Sequence, residues 1–181
     1  MTNDLITLAE ARPDDYASFK KALQDAFAVA AVAEFGSLPD GPIPSDDVLD
    51  GALGAPDAVI LHILCDGRTV GGAVLKIDAE THHNSLDLFF LKVGEEGRGL
   101  GLKAWLAIEQ RYSETITWQT HTPYFEKRNI HFYVNKCGFK IIEFFNDYHS
   151  DPNQPEGSDD LPGGGEAFQF EKVMTRSERA P

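Results

Sequence analysis

Apolar and polar positions along this chain follow two periods, and the switches between them mark its elements. Leu5-Ile6-Thr7-Leu8 reads as a short first strand. From Tyr16 to Glu34 apolar residues recur at Phe19, Leu23, Phe27 and Val29, which is helical spacing. Asp14 or Asp15 supplies an N-cap for that helix, and Gly36 a stop. Ser37 to Ser45 is rich in Pro, Gly and Asp and reads as a loop, and Asp46 to Leu53 as a short helix. Strand patterns follow at Ala58–Cys65 and Val70–Ile77, joined by the hairpin signal Asp66-Gly67. His82-His83-Asn84 reads as a second turn. Leu86 to Val93 is almost continuously apolar, the character of a central strand covered on both faces.

Gly94 to Gly101 breaks the pattern, and from Leu102 the helical period runs through Trp105, Leu106 and Ile108 to Tyr112. Thr115–Thr120 reads as a strand, Phe125–Cys137 as a helix stopped by Gly138, and Phe139–Phe145 as a strand. Asn146 to Gly165 is a polar loop rich in Pro and Gly; Ala167–Met174 is a final strand, and residues 175–181 read as a disordered tail. With no internal repeat or interdomain linker, the chain is expected to be one domain spanning residues 1–181.

Composition narrows the class. The chain has 181 residues, 42% of them hydrophobic and 25% charged, ordinary for a globular domain with a sizeable core. A formal net charge of −13 disfavours nucleic acid and anionic membranes as partners. It suits either simple solubility or attraction of a cationic substrate such as an amine. No apolar run is long enough to span a bilayer. The start lacks a basic and apolar leader, so no secretory signal is expected. Cys65 and Cys137, the only cysteines, make no disulfide framework; a cytoplasmic location is the expectation. No metal is expected.

The chemistry concentrates in Glu96-Gly97-Arg98-Gly99-Leu100-Gly101, between the apolar strand and a helix. Glycines let backbone N–H groups approach an anion, and a helix N-terminus adds unpaired N–H groups and its dipole. Arg98 and Lys103 add positive charge. The turn is therefore read as a cradle for the phosphates of a cofactor. A Walker A loop needs Gly-Lys-Ser/Thr, which Gly101-Leu102-Lys103 does not supply. A dinucleotide fold wants an acid after the next strand, where Gln119-Thr120-His121 has none.

The blocks in order resemble the GNAT family of acyl-CoA N-acyltransferases. The first is Leu91-Lys92-Val93 followed by Glu96 to Gly101; the second is Asn129, Phe132-Tyr133 and Gly138-Phe139. The resemblance spans about Ala58 to Phe145. It implies a mixed α/β domain with a largely antiparallel sheet of six or seven strands flanked by helices. It implies acetyl-CoA as acyl donor and a primary amine of a small molecule or peptide as acceptor. Homodimers are common among such proteins. Residue by residue, it implies that Leu91 and Val93 pair with the pantetheine arm through their backbones. Arg98, Gly99, Gly101, Leu102 and Lys103 would hold the pyrophosphate, and Asn129 would hydrogen-bond the cofactor. Two departures stand out. Glu96 occupies the family's Gln/Arg position, so its carboxylate is expected to face solvent or pair with Arg98. Tyr133 lies one residue further from Gly138 than the family's Tyr, so either it faces away from the site or the helix carries a bulge.

Acyl transfer from a thioester to an amine needs a neutral nucleophile and a proton for the leaving thiolate. Tyr133 is the candidate general acid; a core aromatic next to Phe132 is its bland alternative. Asp87 is the candidate general base, an acid in an otherwise apolar strand; an exposed strand start would also explain it. His121 follows a strand near the expected cleft, whereas His82 and His83 are explained by a turn. Cys137 reads as a packing residue rather than a nucleophile, and Trp105 and Trp118 as core. Lys127, Arg128, His131, Lys136 and Lys140 form a basic patch that is either a solvated face or a phosphate contact. Asp147, His149, Asp151, Glu156, Asp159 and Asp160 give the late loop an acidic character open to either reading. The alternative function is a non-catalytic acyl-CoA-binding or regulatory module; a nucleotide-dependent oxidoreductase is more distant.

Overall fold

The computed structural model describes residues 3–38, 41–153, 165–175 and 177. Glu156, Asp159 and Asp160 of the late loop, and most of the expected tail, lie outside the described residues. In chain order the elements are β1 (Ile6–Glu10), α1 (Tyr16–Phe35), α2 (Asp46–Gly54), β2 (Ala58–Cys65), β3 (Arg68–Lys76) and β4 (His83–Leu91). There follow α3 (Leu100–Arg111), β5 (Thr117–Pro123), α4 (Lys127–His131) running into a π-helical turn (Phe132–Lys136), β6 (Lys140–Phe145) and β7 (Ala167–Val173). The strands form one seven-stranded sheet in the order β1-β2-β3-β4-β5-β7-β6. Every neighbouring pair is antiparallel except β4 and β5. That exception follows from α3, which carries the chain back to start β5 in the same direction as β4.

Helices cover both faces. On one, Phe19 and Leu23 of α1 and Leu49 and Leu53 of α2 pack on Ile60, Val74 and Phe90. Phe19 sits so low on β3 that a Cβ at Gly72 would meet its Cε2 at 2.3 Å. On the other face, Trp105 and Ile108 of α3 join Tyr133 and Cys137 against Leu61, Leu75, Leu86, Trp118, Phe139 and Phe170. Trp105 and Trp118 meet edge to face with centroids 5.3 Å apart.

Several boundaries move. The turn expected at His82-His83-Asn84 is only its first residue, left-handed at φ +57°; the strand already begins at His83. That strand stops at Leu91, leaving Val93 in the following turn, and α3 starts at Leu100 rather than Leu102. Val29, expected on the inner face of α1, is 53% exposed. The helix read from Phe125 to Cys137 starts at Lys127 and changes to π geometry at Phe132. There the Cys137 N–H reaches back five residues to the Phe132 carbonyl at 3.0 Å. Of the two readings of the long Tyr133 spacing, the bulge is the one present: the extra residue is absorbed in the π turn, and Tyr133 stays on the sheet-facing side.

β4 and β5 are paired over four rungs, from His83↔Thr117 to Leu86↔Thr120. Both strands continue, β4 to Leu91 and β5 to Pro123, without pairing to each other. This parting of the sheet is the feature that the rest of the molecule frames.

Candidate active site

Past the last rung, one edge of β4 is free. The Lys92 N–H donates back to the Val70 carbonyl at 2.8 Å, on the β3 side. Backbone groups alternate along a strand, so those of Leu91 and Phe89 are turned to the unpaired side. The backbone groups of Leu91 thus face the unpaired side; Val93, 56% exposed beyond the strand end, lies in the turn.

The turn itself needs its glycines. Gly94, Gly97 and Gly99 adopt φ of +91°, +81° and +73°, a region that other residues rarely occupy. Gly99 is the N-cap of α3 and offers no side chain, so the first N–H groups of the helix have no cap. Gly101 lies where α3 meets the π turn; a Cβ there would be 3.4 Å from Phe132 and 3.8 Å from Leu91. Leu102 is half-buried against the core. Glu96 does not pair with Arg98: at the exposed turn its carboxylate accepts the Gly94 N–H at 2.8 Å and fastens the turn. Arg98 donates instead to Asp4 at 2.9 Å and to Glu95 at 3.2 Å. Lys103 lies 3.5 Å from the Asp4 carbonyl and 3.9 Å from its carboxylate. Glu95 also binds Arg68, which lowers its pKa. Both cations of the turn are therefore aimed at the segment before β1, and the anion-binding capacity left at the turn is backbone N–H. Beside them, Asp4, Cys65 and Asp66 gather with potential ligand atoms within 4.8 Å of one another, but the Asp4 carboxylate is the one engaged by Arg98.

Tyr133 and Asp87 meet the parting from opposite faces. Tyr133 is buried, its ring against Phe139 and Phe170. Its hydroxyl hydrogen-bonds Thr120, whose own hydroxyl donates to the Leu86 carbonyl at 2.8 Å, so the phenol is tied to the final rung. Burial pushes its pKa far above the ordinary value, with Cys137 and Glu126 adding to the rise, and keeps it a neutral phenol. Asp87 is the first β4 residue past that rung. The β3–β4 register slips there, with Val74 opposite Leu88 and Leu75 opposite Leu86, so Asp87 is the extra residue of a bulge. Its carboxylate accepts the Ser85 hydroxyl at 2.7 Å and lies 3.5 Å from Lys76. It is half-buried in mid-strand, not at an exposed strand start.

His121 is the corresponding first residue past the rung on β5. Asp151 returns from the late loop to lie 3.5 Å from its Nε2, and Phe145 flanks the ring. Desolvation lowers the imidazole pKa, and Asp151 partly offsets this. Asn129 is half-buried on α4 and makes no side-chain hydrogen bond among the described residues. The patch Lys127, Arg128, His131, Lys136 and Lys140 is exposed. His82 sits in its turn, and His83 Nδ1 lies 2.6 Å from the Thr117 hydroxyl, a cross-strand tie. Burial pushes the Cys137 thiol up to about 12, which removes it as a thiolate nucleophile.

Sequence reasoning missed Glu126. It is buried at the N-cap of α4, and desolvation raises its carboxyl to about 7 despite Arg128 nearby. An acid following two aromatics, Tyr124 and Phe125, was the available signal.

A family model described as the acetyltransferase (GNAT) family matches residues 20–139 of the chain. An uncharacterised protein of Bacillus subtilis, YrkN, is 49% identical over 177 residues, covering 96% of each chain. Among solved structures, the ribosomal-protein-S18-alanine N-acetyltransferase of Escherichia coli superposes with a TM-score of 0.66 at 12% identity, covering 94% of this chain and 95% of that one. The spermidine N-acetyltransferase of Vibrio cholerae, solved with CoA and spermine, gives a TM-score of 0.67 at 11% identity, with 96% and 97% covered.

Proposed function

Because this chain belongs to the acetyltransferase (GNAT) family, we propose that it moves an acetyl group from acetyl-CoA to a primary amine of a small molecule or peptide. The observation that carries this reading is the end of the β4–β5 ladder, with Asp87 and Tyr133 on opposite faces of one rung beside an uncapped glycine turn.

The residues fit the donor. The free edge at Leu91 offers hydrogen bonds that an extended amide-bearing arm would take as an added strand. The uncapped N–H groups at Gly99, Gly101 and Leu102 suit a pyrophosphate, with Arg98 and Lys103 joining once released from Asp4. Asn129 is a free donor and acceptor on the facing helix. When bound there, the thioester supplies the activated acyl group; the chain's part is to hold it against the acceptor nitrogen and to move protons.

Tyr133 is the general acid. Its phenol is protonated, and a thiolate formed in the same dry surroundings has its own basicity raised by lack of water. Asp87, re-aimed by its bulge, takes a proton from the attacking nitrogen. A net charge of −13 draws cationic amines toward such a site. Among the described residues no helix is long and apolar enough to cross a membrane; a cytoplasmic acceptor is part of the proposal. Incubation with acetyl-CoA and a broad amine panel tests the reading; neither CoA binding nor CoA release would sink it. Tight CoA binding without transfer to any amine would favour a non-catalytic acyl-CoA-binding module instead. A homodimer, common in such proteins, is checked by light scattering.

A further inference from the structure

The proton count of amide formation leaves one task unassigned. An acceptor arrives as an ammonium ion and ends as an amide, so its nitrogen loses two protons. One equivalent goes onto the leaving sulfur, and the other must leave the site. The first proton is the harder to remove, because a free alkylammonium has a pKa near about 10, like that of lysine. The second comes off the strongly acidic N–H of the addition intermediate, for which a carboxylate such as Asp87 is base enough. A carboxylate already receiving Ser85 and lying beside Lys76 is a poor partner for the first.

On the facing strand stands a better one. His121 Nε2 is one of three buried side-chain nitrogens with no directed hydrogen bond among the described residues. The others are the indole nitrogens of Trp105 and Trp118, deep in the core. A buried polar atom without a partner needs an explanation. Asp151 lies within ion-pair distance, 3.5 Å, but not in hydrogen-bonding geometry. His121 also shares a face with Asp87. Thr120 and Thr122 on either side of it are buried, Thr120 against Tyr133, so His121 points to the opposite face, the one covered by α1. Lys76, paired with Asp87, is on that face too, two residues from Val74 in the α1 cluster. By register, Asp87 and His121 are the first residues beyond Leu86 and Thr120 on the two sides of the parting.

Resting on the acetyltransferase reading above, we propose that His121, backed by Asp151, is a second proton acceptor that converts the acceptor ammonium into the neutral amine before attack. An N–H bond of the ammonium breaks, and its proton goes to the lone pair of the other ring nitrogen, Nδ1, while Nε2 keeps its hydrogen on the side of Asp151. The freed nitrogen pair then adds to the thioester carbonyl carbon. Asp87 takes the second nitrogen proton, the C–S bond breaks, and the sulfur takes the Tyr133 proton; the proton on Asp87 is then released to solvent as one returns to the Tyr133 phenolate, which restores both groups. The imidazolium is stabilised by Asp151 and returns its proton to solvent. The charged groups around His121 are Asp151, the His149–Glu143 pair beyond Phe145, and Asp87 with Lys76 across the parting. Its β7 neighbour, Gln169, is uncharged.

The test is the pH dependence of kcat/KM with the best amine of the panel, measured beside CoA affinity. The wild type should show an acid limb below the ordinary imidazole value, since burial lowers the His121 pKa. His121→Gln should lose that limb and fall roughly 10²- to 10³-fold near neutrality. The deficit should shrink as pH approaches the pKa of the amine, while CoA affinity stays unchanged. Asp151→Asn should move the limb to lower pH, because the carboxylate that favours the imidazolium is gone. A His121→Gln profile parallel to wild type at every pH would overturn the proposal. If that variant fails to fold, an unmoved limb in Asp151→Asn would do so. Failure of the acetyltransferase reading would look different: no transfer by the wild type at any pH.

Discussion

The two faces of the sheet at the β4–β5 parting are built on opposite principles. Under α3 and the π turn, Tyr133 is packed among Trp105, Trp118, Phe139 and Phe170, and its hydroxyl is tied through Thr120 to a backbone carbonyl. On the face that α1 and α2 pack against, Asp87, Lys76, Ser85 and His121 are polar or charged and partly exposed, and the largely buried Asp151 stands beside His121. On the first face, position is enforced by contact, and a proton is kept in place by the lack of water. On the second, side chains are held by ion pairs that solvent can enter. The first face should therefore respond to substitution through stability, with the Tyr133 hydroxyl as its one chemical group, and the second through activity.

The strongest challenge to that division is Trp105→Ala. It should cost about 3–5 kcal/mol in denaturant unfolding by emptying the fully buried centre of the dry face. A loss within about 0.5 kcal/mol would mean the core is not there. Next, Tyr133→Phe should lower turnover about 10²-fold, the size of a positioned acid, with CoA affinity nearly constant. Unchanged turnover would make Tyr133 a packing residue only. Asp87→Asn should lower turnover about 10-fold yet shift unfolding by less than about 1 kcal/mol, since the Lys76 pair is partly solvated. A large stability loss with normal turnover would put Asp87 on the structural side.

Glu126 sharpens the contrast with pH. Its folded pKa is about 7, above an unfolded value of 4.5, so the folded state binds the extra proton. Its contribution to stability is full below about 4.5 and fades as pH rises through 7. Thermal scans should show the wild type losing stability across that window and Glu126→Gln losing less; parallel curves would remove Glu126 as the cause. The smallest effect belongs to the turn. Asp4→Asn removes the carboxylate that Arg98 and Lys103 share, leaving Glu95 on Arg98, and should tighten CoA binding by roughly 2- to 5-fold at low salt, an advantage that added salt erases. Weaker binding would mean that Asp4 orders the turn.

What could be seen in the sequence was what short-range physics writes there. The order of the strands, the bounds of β2 and the Asp66-Gly67 hairpin depend on neighbours a few residues away, and these matched, while the ends of the other strands moved by one or more residues. The direction of Arg98 depends on Asp4, far off in the chain, and nothing local announces it. Asp151 meets His121 only because the late loop folds back, so both residues could be suspected but not joined. Glu126 looks like any surface acid until β5 and α4 enclose it. Tyr133 was an intermediate case: the spacing to Gly138 flagged an anomaly, and only the backbone showed which way it was resolved.

That π turn also makes the chain a length gauge. A residue in an ordinary helix advances about 100° around the axis, so an insertion ahead of Gly138 would swing Tyr133 off the sheet if the surplus were spread along the helix. Gathered into Phe132–Lys136, it leaves the tyrosine and the glycine each where its own neighbours need it. Deleting Val134 restores the shorter spacing without removing a charge or an aromatic ring. A relative that lost this residue and kept its tyrosine aimed at the last rung would have had to wind this segment as plain α-helix, so chain length here is a heritable record of where a hydroxyl points.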